Sequence, residues 1–142
     1  NWFAPDKPIK HDLVDYLGGS AEIEAVVTRN ALAMIDVVPA TRTAPDAAAL
    51  IASDRMHKLL EWGKANYDLV VIDTVSIMPS LDGRMLARHV DATVLVVEWL
   101  ATTLESAKEA VELLLKNDAQ IAGAILNKVD PAKAARYGLS PA

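Results

Sequence analysis

The chain has 142 residues, enough to bury a real core as one domain, and its balance of 52% hydrophobic to 23% charged residues marks a globular rather than a disordered protein. A net charge of -5 with no basic block argues against nucleic acid as a partner, and the lack of cysteine rules out disulfide and thiol chemistry. No apolar run approaches a membrane span and no signal peptide or polybasic segment is visible, so direct membrane insertion is not expected. The first residue is Asn1, not Met, and the sequence reads as a piece of something longer.

Asn1 to Lys10, with Pro5 and Pro8, reads as an extended segment. His11 to Leu17 is amphipathic and helical, stopped by Gly18-Gly19. Ser20 is placed to cap a second short helix reaching Val27, and Leu32 to Val38 reads as a strand ended by Pro39. Asp46 is expected to cap the next helix, which Ser53 breaks and re-caps, the helical period then running to about Asn66.

Asp68 to Asp73 is expected as a strand buried on both faces, because it is apolar until it meets its final carboxylate. Leu81 to His89 follows as a short helix and Ala92 to Glu98 as a second wholly apolar strand. Thr102 and Glu105 have capping-box spacing and open a helix ending near Asn117. Ile121 to Leu126 is expected as a last buried strand, and residues 131–142 form a loose polar tail. The alternation of strands and helices from Leu32 onward predicts an α/β fold with a mostly parallel sheet. Ligands in such sheets sit at the carboxyl ends of strands, here Asp73-Thr74, Glu98-Trp99 and Asn127-Lys128.

A carboxylate after an apolar strand is suited to hold magnesium, a hard cation that keeps most of its waters; Asp73 could equally cap the loop after it. Asn127-Lys128-Val129-Asp130 has the form of a guanine-reading NKxD segment, although four such residues after a strand also make an ordinary loop. No G-x-x-x-x-G-K-[ST] loop occurs in the chain, so it has no obvious cradle for a triphosphate. His11, His57 and His89 lack ligand spacing, and Ser76 and Ser80 lack a nucleophile-elbow setting. Trp2, Trp62 and Trp99 read as packing or interface residues, and Tyr137 is a possible phosphate acceptor in the tail.

Taken together, HDLVDYLGG, MIDVVPA, APDAAALIASDRMHKLLEWGKANYDLVVIDT, DGRMLARHVDATVLVVEW, IAGAILNKVD and a tail with RYG resemble the cytoplasmic domain of bacterial tyrosine kinases (BY-kinases). These accompany the membrane-embedded chain-length regulators of exopolysaccharide and capsule export, and the succinoglycan-transport type is the most similar. The resemblance runs from about His11 to Gly138. It implies a three-layer, mostly parallel sheet flanked by helices, P-loop NTPase-like but lacking the N-terminal P-loop strand, with residues 1–142 as a single partial domain.

It further implies ATP and magnesium as cofactors of the family, with Asp73 as the magnesium-side carboxylate, Thr74 beside it and Asn127 near the adenine, which displaces the guanine reading. The chain alone, without the lysine loop, is expected to hold neither and to be inactive. The family pattern has two prolines where Val75 and Ser76 stand and a glycine where Thr41 stands, and its tyrosine-rich tail is reduced to Tyr137. A catalytically degenerate scaffold of the export machinery, or a piece of a partition- or division-type ATPase, are the alternatives.

The expected location is the cytoplasmic side of a bacterial inner-membrane protein. In related proteins the lysine-loop strand lies between the counterparts of Asp68–Asp73 and Ala92–Glu98. The gap is therefore expected to close by direct pairing of those two strands or by self-association of copies.

Overall fold

The computed structural model describes residues 9–30, 35–134 and 138, so Trp2, Tyr137 and most of the expected N-terminal segment and tail lie outside the described residues. The chain divides into two compact units, Asn1–Asp73 and Thr74–Ala142.

The first unit begins with α1 (Leu13–Leu17) and α2 (Ile23–Val26). Asp12 caps α1: its Oδ1 accepts from the N–H groups of Val14 and Asp15 at 3.0 and 3.2 Å, while Asp15 Oδ2 accepts from the Asp12 N–H at 3.0 Å. This reciprocal box uses two aspartates and satisfies amides that a short helix otherwise leaves bare. The stop is as expected, with Gly18 as C-cap and Gly19 at φ +81°, a backbone that side chains resist. Ser20 does not cap α2. Glu22 holds that position without a side-chain bond, and the Ser20 hydroxyl donates back to the Asp15 carbonyl at 3.1 Å, joining the Ser20 and Ala21 N–H groups on that helix-end acceptor.

β1 (Thr28–Asn30) and β2 (Ile35–Val37) form an antiparallel hairpin in which Arg29 faces Asp36. The expected strand Leu32–Val38 is thus described only at Ile35–Val37, with residues 31–34 outside the described set, and β1 has no counterpart in the sequence reading. α3 (Ala47–Ile51) starts after Asp46, which makes no capping bond with its side chain. Ser53 caps α4 (Asp54–Asn66) as expected, accepting from Met56 N–H at 3.3 Å. Arg55 of α4 clamps the first two helices: its Nε donates to the Tyr16 carbonyl at 2.6 Å, its Nη2 to the Ala21 carbonyl at 2.8 Å, and its guanidinium lies 4.5 Å from the Tyr16 ring centre. The fully enclosed Val26 packs in this region with Tyr16, Leu17, Ile23 and Met56 as the buried apolar set.

The loop after β2 is tied to α1 through Asp12. The Leu13 N–H donates to the Pro39 carbonyl at 2.8 Å, and the Thr41 hydroxyl donates to Asp12 Oδ2 at 2.6 Å. Arg42 pairs with Asp15 and stands 3.3 Å from Asp12. Burial pushes the Asp12 carboxyl up, but the Thr41 hydroxyl, the Asp15 and Thr41 amides and the Arg42 charge together hold it below the usual carboxylate range. The Arg42 hydrogen bond, then the Asp12 N–H, hold Asp15 down as well.

Asp68–Asp73 is not a strand. Leu69 and Val71 are 77% and 79% exposed, while Val70 and Ile72 are less so, and 3.2 Å separates Val70 Cγ2 from where a Cβ on Gly63 would sit. An apolar run is buried on both faces only when a sheet flanks it, and no described strand pairs with this one.

The second unit contains α5 (Asp82–Ala87), β3 (Thr93–Glu98), α6 (Leu104–Leu115), β4 (Ile121–Asn127) and α7 (Pro131–Ala134). β3 and β4 are parallel, with α6 as the crossover, the βαβ unit of an α/β fold. Ala87, Leu95, Ala110, Leu114 and Ala119 form the core between them. Thr103, not Thr102, caps α6, accepting from Ser106 N–H at 3.1 Å, because the Thr102 hydroxyl is engaged by the Glu98 N–H at 3.0 Å. β4 is not buried as expected: beyond Ile121 it is exposed along its length, and on β3 Val94 and Val96 are also half bare.

Because Asp12 and Asp15 have lowered values in the fold, the unfolded chain takes up protons first. Their stabilisation is complete above the ordinary aspartate value of about 3.9 and is lost as pH falls through the folded values. Thr41→Gly should cost about 1–2 kcal/mol by removing a hydrogen bond to a buried carboxylate, and should move acid unfolding to higher pH. Thr41→Ser should restore both. Acid titration followed by circular dichroism checks this, and an unchanged acid midpoint in Thr41→Gly would sink the assignment.

Candidate functional site

The parallel pair brings two of the expected strand ends together. Glu98 and Asn127 are register partners at the carboxyl ends of β3 and β4. The Trp99 N–H donates to the Asn127 carbonyl at 2.9 Å, and the Lys128 N–H donates to Asn127 Oδ1 at 2.8 Å. With Oδ1 engaged, the Asn127 side chain offers its amide N–H groups at an exposed strand end. Lys128 Nζ donates to Glu98 Oε2 at 2.8 Å, closing a bridge across the two strand ends. Both side chains of this pair are about half exposed, so it sets geometry more than stability.

The backbone just past both strands is unusual. Leu100 has φ 59° and Lys128 φ 56°, a left-handed conformation that side-chain-bearing residues adopt at a cost of roughly 1–2 kcal/mol. Strain of this kind gathers where a ligand-facing loop is held in one shape.

Asp130 has a local role. Its Oδ1 accepts from the N–H groups of Ala132 and Lys133 at 3.0 and 3.3 Å, capping α7. A carboxylate used this way is poorly placed to read a guanine edge, so NKVD behaves as a strand-end loop with a helix cap.

Asp73 closes the first unit and is exposed; Thr74 opens the second and is also exposed. The Thr74 hydroxyl donates to the Val75 carbonyl at 3.2 Å. It is packed against the start of α5, where a Cβ on Gly83 would lie 3.1 Å from Thr74 Oγ1 and 3.2 Å from Ile77 Cγ2. Gly83 thus allows the loop after Asp73 to lie against the helix. One carboxylate and one hydroxyl fit an outer contribution to magnesium, which is commonly held by one or two carboxylates together with substrate phosphates. Among the described residues no three His, Asp or Glu side chains gather as a metal-binding group.

The sequence reading missed the Asp12–Asp15–Thr41–Arg42 cluster. The D-x-x-D spacing of Asp12 and Asp15 was its visible signal; the link to Thr41 spans 29 residues and has no local signature. It also missed the grouping of Asp36, Trp62 and Tyr67. Tyr67 donates to Asp36 Oδ2 at 2.8 Å, and Trp62 meets Tyr67 edge-on with ring centres 5.6 Å apart.

A βαβ unit whose parallel strands end in polar residues defines an α/β domain, in which ligand sites lie at the carboxyl ends of the strands. The comparisons carry this further. The chain is 32% identical over 117 residues to tyrosine-protein kinase wzc of Salmonella typhi, a match covering 82% of this chain and 16% of that protein. Its fold matches the kinase domain of Escherichia coli tyrosine kinase ETK with TM-score 0.82 and 31% identity, covering 86% of this chain and 48% of that one. The VpsO kinase domain matches with TM-score 0.79 and 27% identity, covering 86% of this chain and 60% of that one. No family model matches the chain. The chain belongs to the bacterial tyrosine kinase family, spanning about half of the ETK kinase-domain structure and about one sixth of the curated relative it matches.

Gly83→Ala should leave stability within roughly 1 kcal/mol, since better helix propensity offsets the tight contact. It should nevertheless move the Thr74 methyl resonance, as the loop gives way. An unshifted Thr74 signal would show that Gly83 does not position this loop.

Proposed function

We propose that this chain supplies part of the nucleotide site of a bacterial tyrosine kinase that controls exopolysaccharide polymerisation and export, on the cytoplasmic side of an inner-membrane protein. The observation that supports it most is the match in fold and sequence to the ETK kinase domain, together with polar residues at the carboxyl ends of parallel strands. On this reading Asp73, with Thr74 next to it, would help hold magnesium through water, and the Asn127 amide would donate toward the adenine of ATP. ATP would supply the transferred phosphoryl group; Asp73 and Asn127 only bind and orient it. Tyr137 is the acceptor that the chain itself offers.

The chain has no lysine loop to cradle the phosphates, so by itself it is proposed to bind ATP weakly and to phosphorylate nothing. The apolar residues left bare at Leu69, Val71, Val94 and Val96 suit burial within a larger assembly, and self-association of the isolated chain follows from their exposure. The membrane-embedded chain-length regulator is the proposed partner of the whole protein. Among the described residues no helix is long and apolar enough to cross a membrane.

Calorimetric titration with Mg-ATP tests this on two proteins: the 142-residue chain, and a longer chain covering the full kinase-domain length of its relatives. Binding should appear only in the longer form, and Asp73→Asn there should weaken the magnesium-dependent part about 10- to 100-fold. Failure of both proteins to bind would favour a scaffold in the export machinery, with Val75 and Ser76 as the departures to revert first.

A further inference from the structure

The first unit holds a cavity of about 360 Å³ that the nucleotide reading does not use, lined among others by Glu24, Arg29, Asp36, Trp62, Asn66 and Tyr67. Its size falls within the range of small-molecule and side-chain sites. Three elements build it: α2 brings Glu24, the β1–β2 hairpin brings Arg29 and Asp36, and the end of α4 brings Trp62 and Asn66, with Tyr67 just after.

The chemistry of the lining is one-sided. Glu24, Asp36 and Arg29 are its charged lining residues, and Asp36 is the one that stands beside the guanidinium. Asp36 is mostly buried and is fixed by the Tyr67 hydroxyl at 2.8 Å. Burial first, then the Asp36 hydrogen bond and charge, push the Tyr67 phenol up, so it stays a neutral donor that orients the Asp36 carboxyl group. The Asn66 amide nitrogen donates to the Trp62 carbonyl at 2.8 Å, which leaves its oxygen as an acceptor. Two aromatic rings set edge to face complete the wall. Aromatic faces beside carboxylates attract organic cations. Arg29 is loosely held: its side chain is 86% exposed and its Nε stands 3.7 Å from Asp36.

We propose that this cavity binds the guanidinium or ammonium end of an organic cation, in the manner of a basic side chain, which takes the place of Arg29 beside Asp36 and lies against Trp62. The inference is independent of the nucleotide reading, because every residue it uses is outside the strand ends and the Asp73 loop.

The test is nuclear magnetic resonance on the full 142-residue chain, following the indole N–H signals of its three tryptophans, with Trp62 assigned through Trp62→Phe. The probes are N-acetylarginine amide and putrescine. The Trp62 signal should shift saturably, and high salt should weaken the effect. Tighter binding of the arginine derivative would assign a polypeptide source for the cation, and tighter binding of putrescine a free polyamine.

Asp36→Asn should weaken binding roughly tenfold and Glu24→Gln about threefold. Arg29→Ala should preserve or strengthen it, because the competing cation is gone. Should Asp36→Asn disturb the hairpin, the exposed Glu24 and Arg29 variants still decide the matter. The proposal is overturned by the absence of a saturable Trp62 shift, by parallel shifts of all three indoles, or by loss of binding in Arg29→Ala, which would mark an anion site instead.

Discussion

A parallel pair of strands needs cover that it cannot make for itself, and much of this protein follows from that constraint. Parallel strands must be joined by a crossover, and here α6 provides it, burying Leu95 between the ladder and Leu114. One face of the pair is thereby satisfied. The other keeps Val94, Val96 and Ile125 in contact with solvent, and β4 is exposed beyond Ile121. All-parallel sheets are found with both faces covered, and here α6 covers only one. That the chain spans about half of the ETK kinase-domain structure agrees with this physical reading.

The same ladder places the polar residues. Pairing of Glu98 with Asn127 sets both strand ends level, and the Lys128 bridge and the left-handed residues Leu100 and Lys128 hold the loops beyond them. Asn127 is therefore presented by the sheet, whereas Asp73 and Thr74 are presented by a loop without a ladder. Preorganisation of a site requires rigid support. The ladder gives that support to Asn127, and the loop does not give it to Asp73 and Thr74.

The first unit is stabilised differently, by polar clamps over a small core. Asp12 gathers two helix amides, the Thr41 hydroxyl and the charge of Arg42, and Arg55 gathers two carbonyls near the α1 end and the Tyr16 ring. The threonine at position 41 stands where the family pattern has glycine, and its hydroxyl is used. At this departure from the family pattern the fold makes a structural hydrogen bond.

What the sequence determined by itself was the kind and order of most elements, through period and capping chemistry. Gly18-Gly19, Ser53 and the apolar stripe of α6 signal locally, and the assembly of quoted segments pointed to the tyrosine kinase family before any geometry was known. Local signals also misled where a hydroxyl found another partner, as Ser20 with the Asp15 carbonyl and Thr102 with the Glu98 N–H. Only tertiary structure decided which apolar runs are buried. Asp68–Asp73 and Ile121–Leu126 look alike in sequence, yet one has no strand beside it and the other pairs on β3 while remaining exposed. Burial depends on what lies alongside, and hydrogen-bond partners 29 or 31 residues apart, such as Thr41 with Asp12 and Tyr67 with Asp36, are set by chain folding rather than by any residue's own preference.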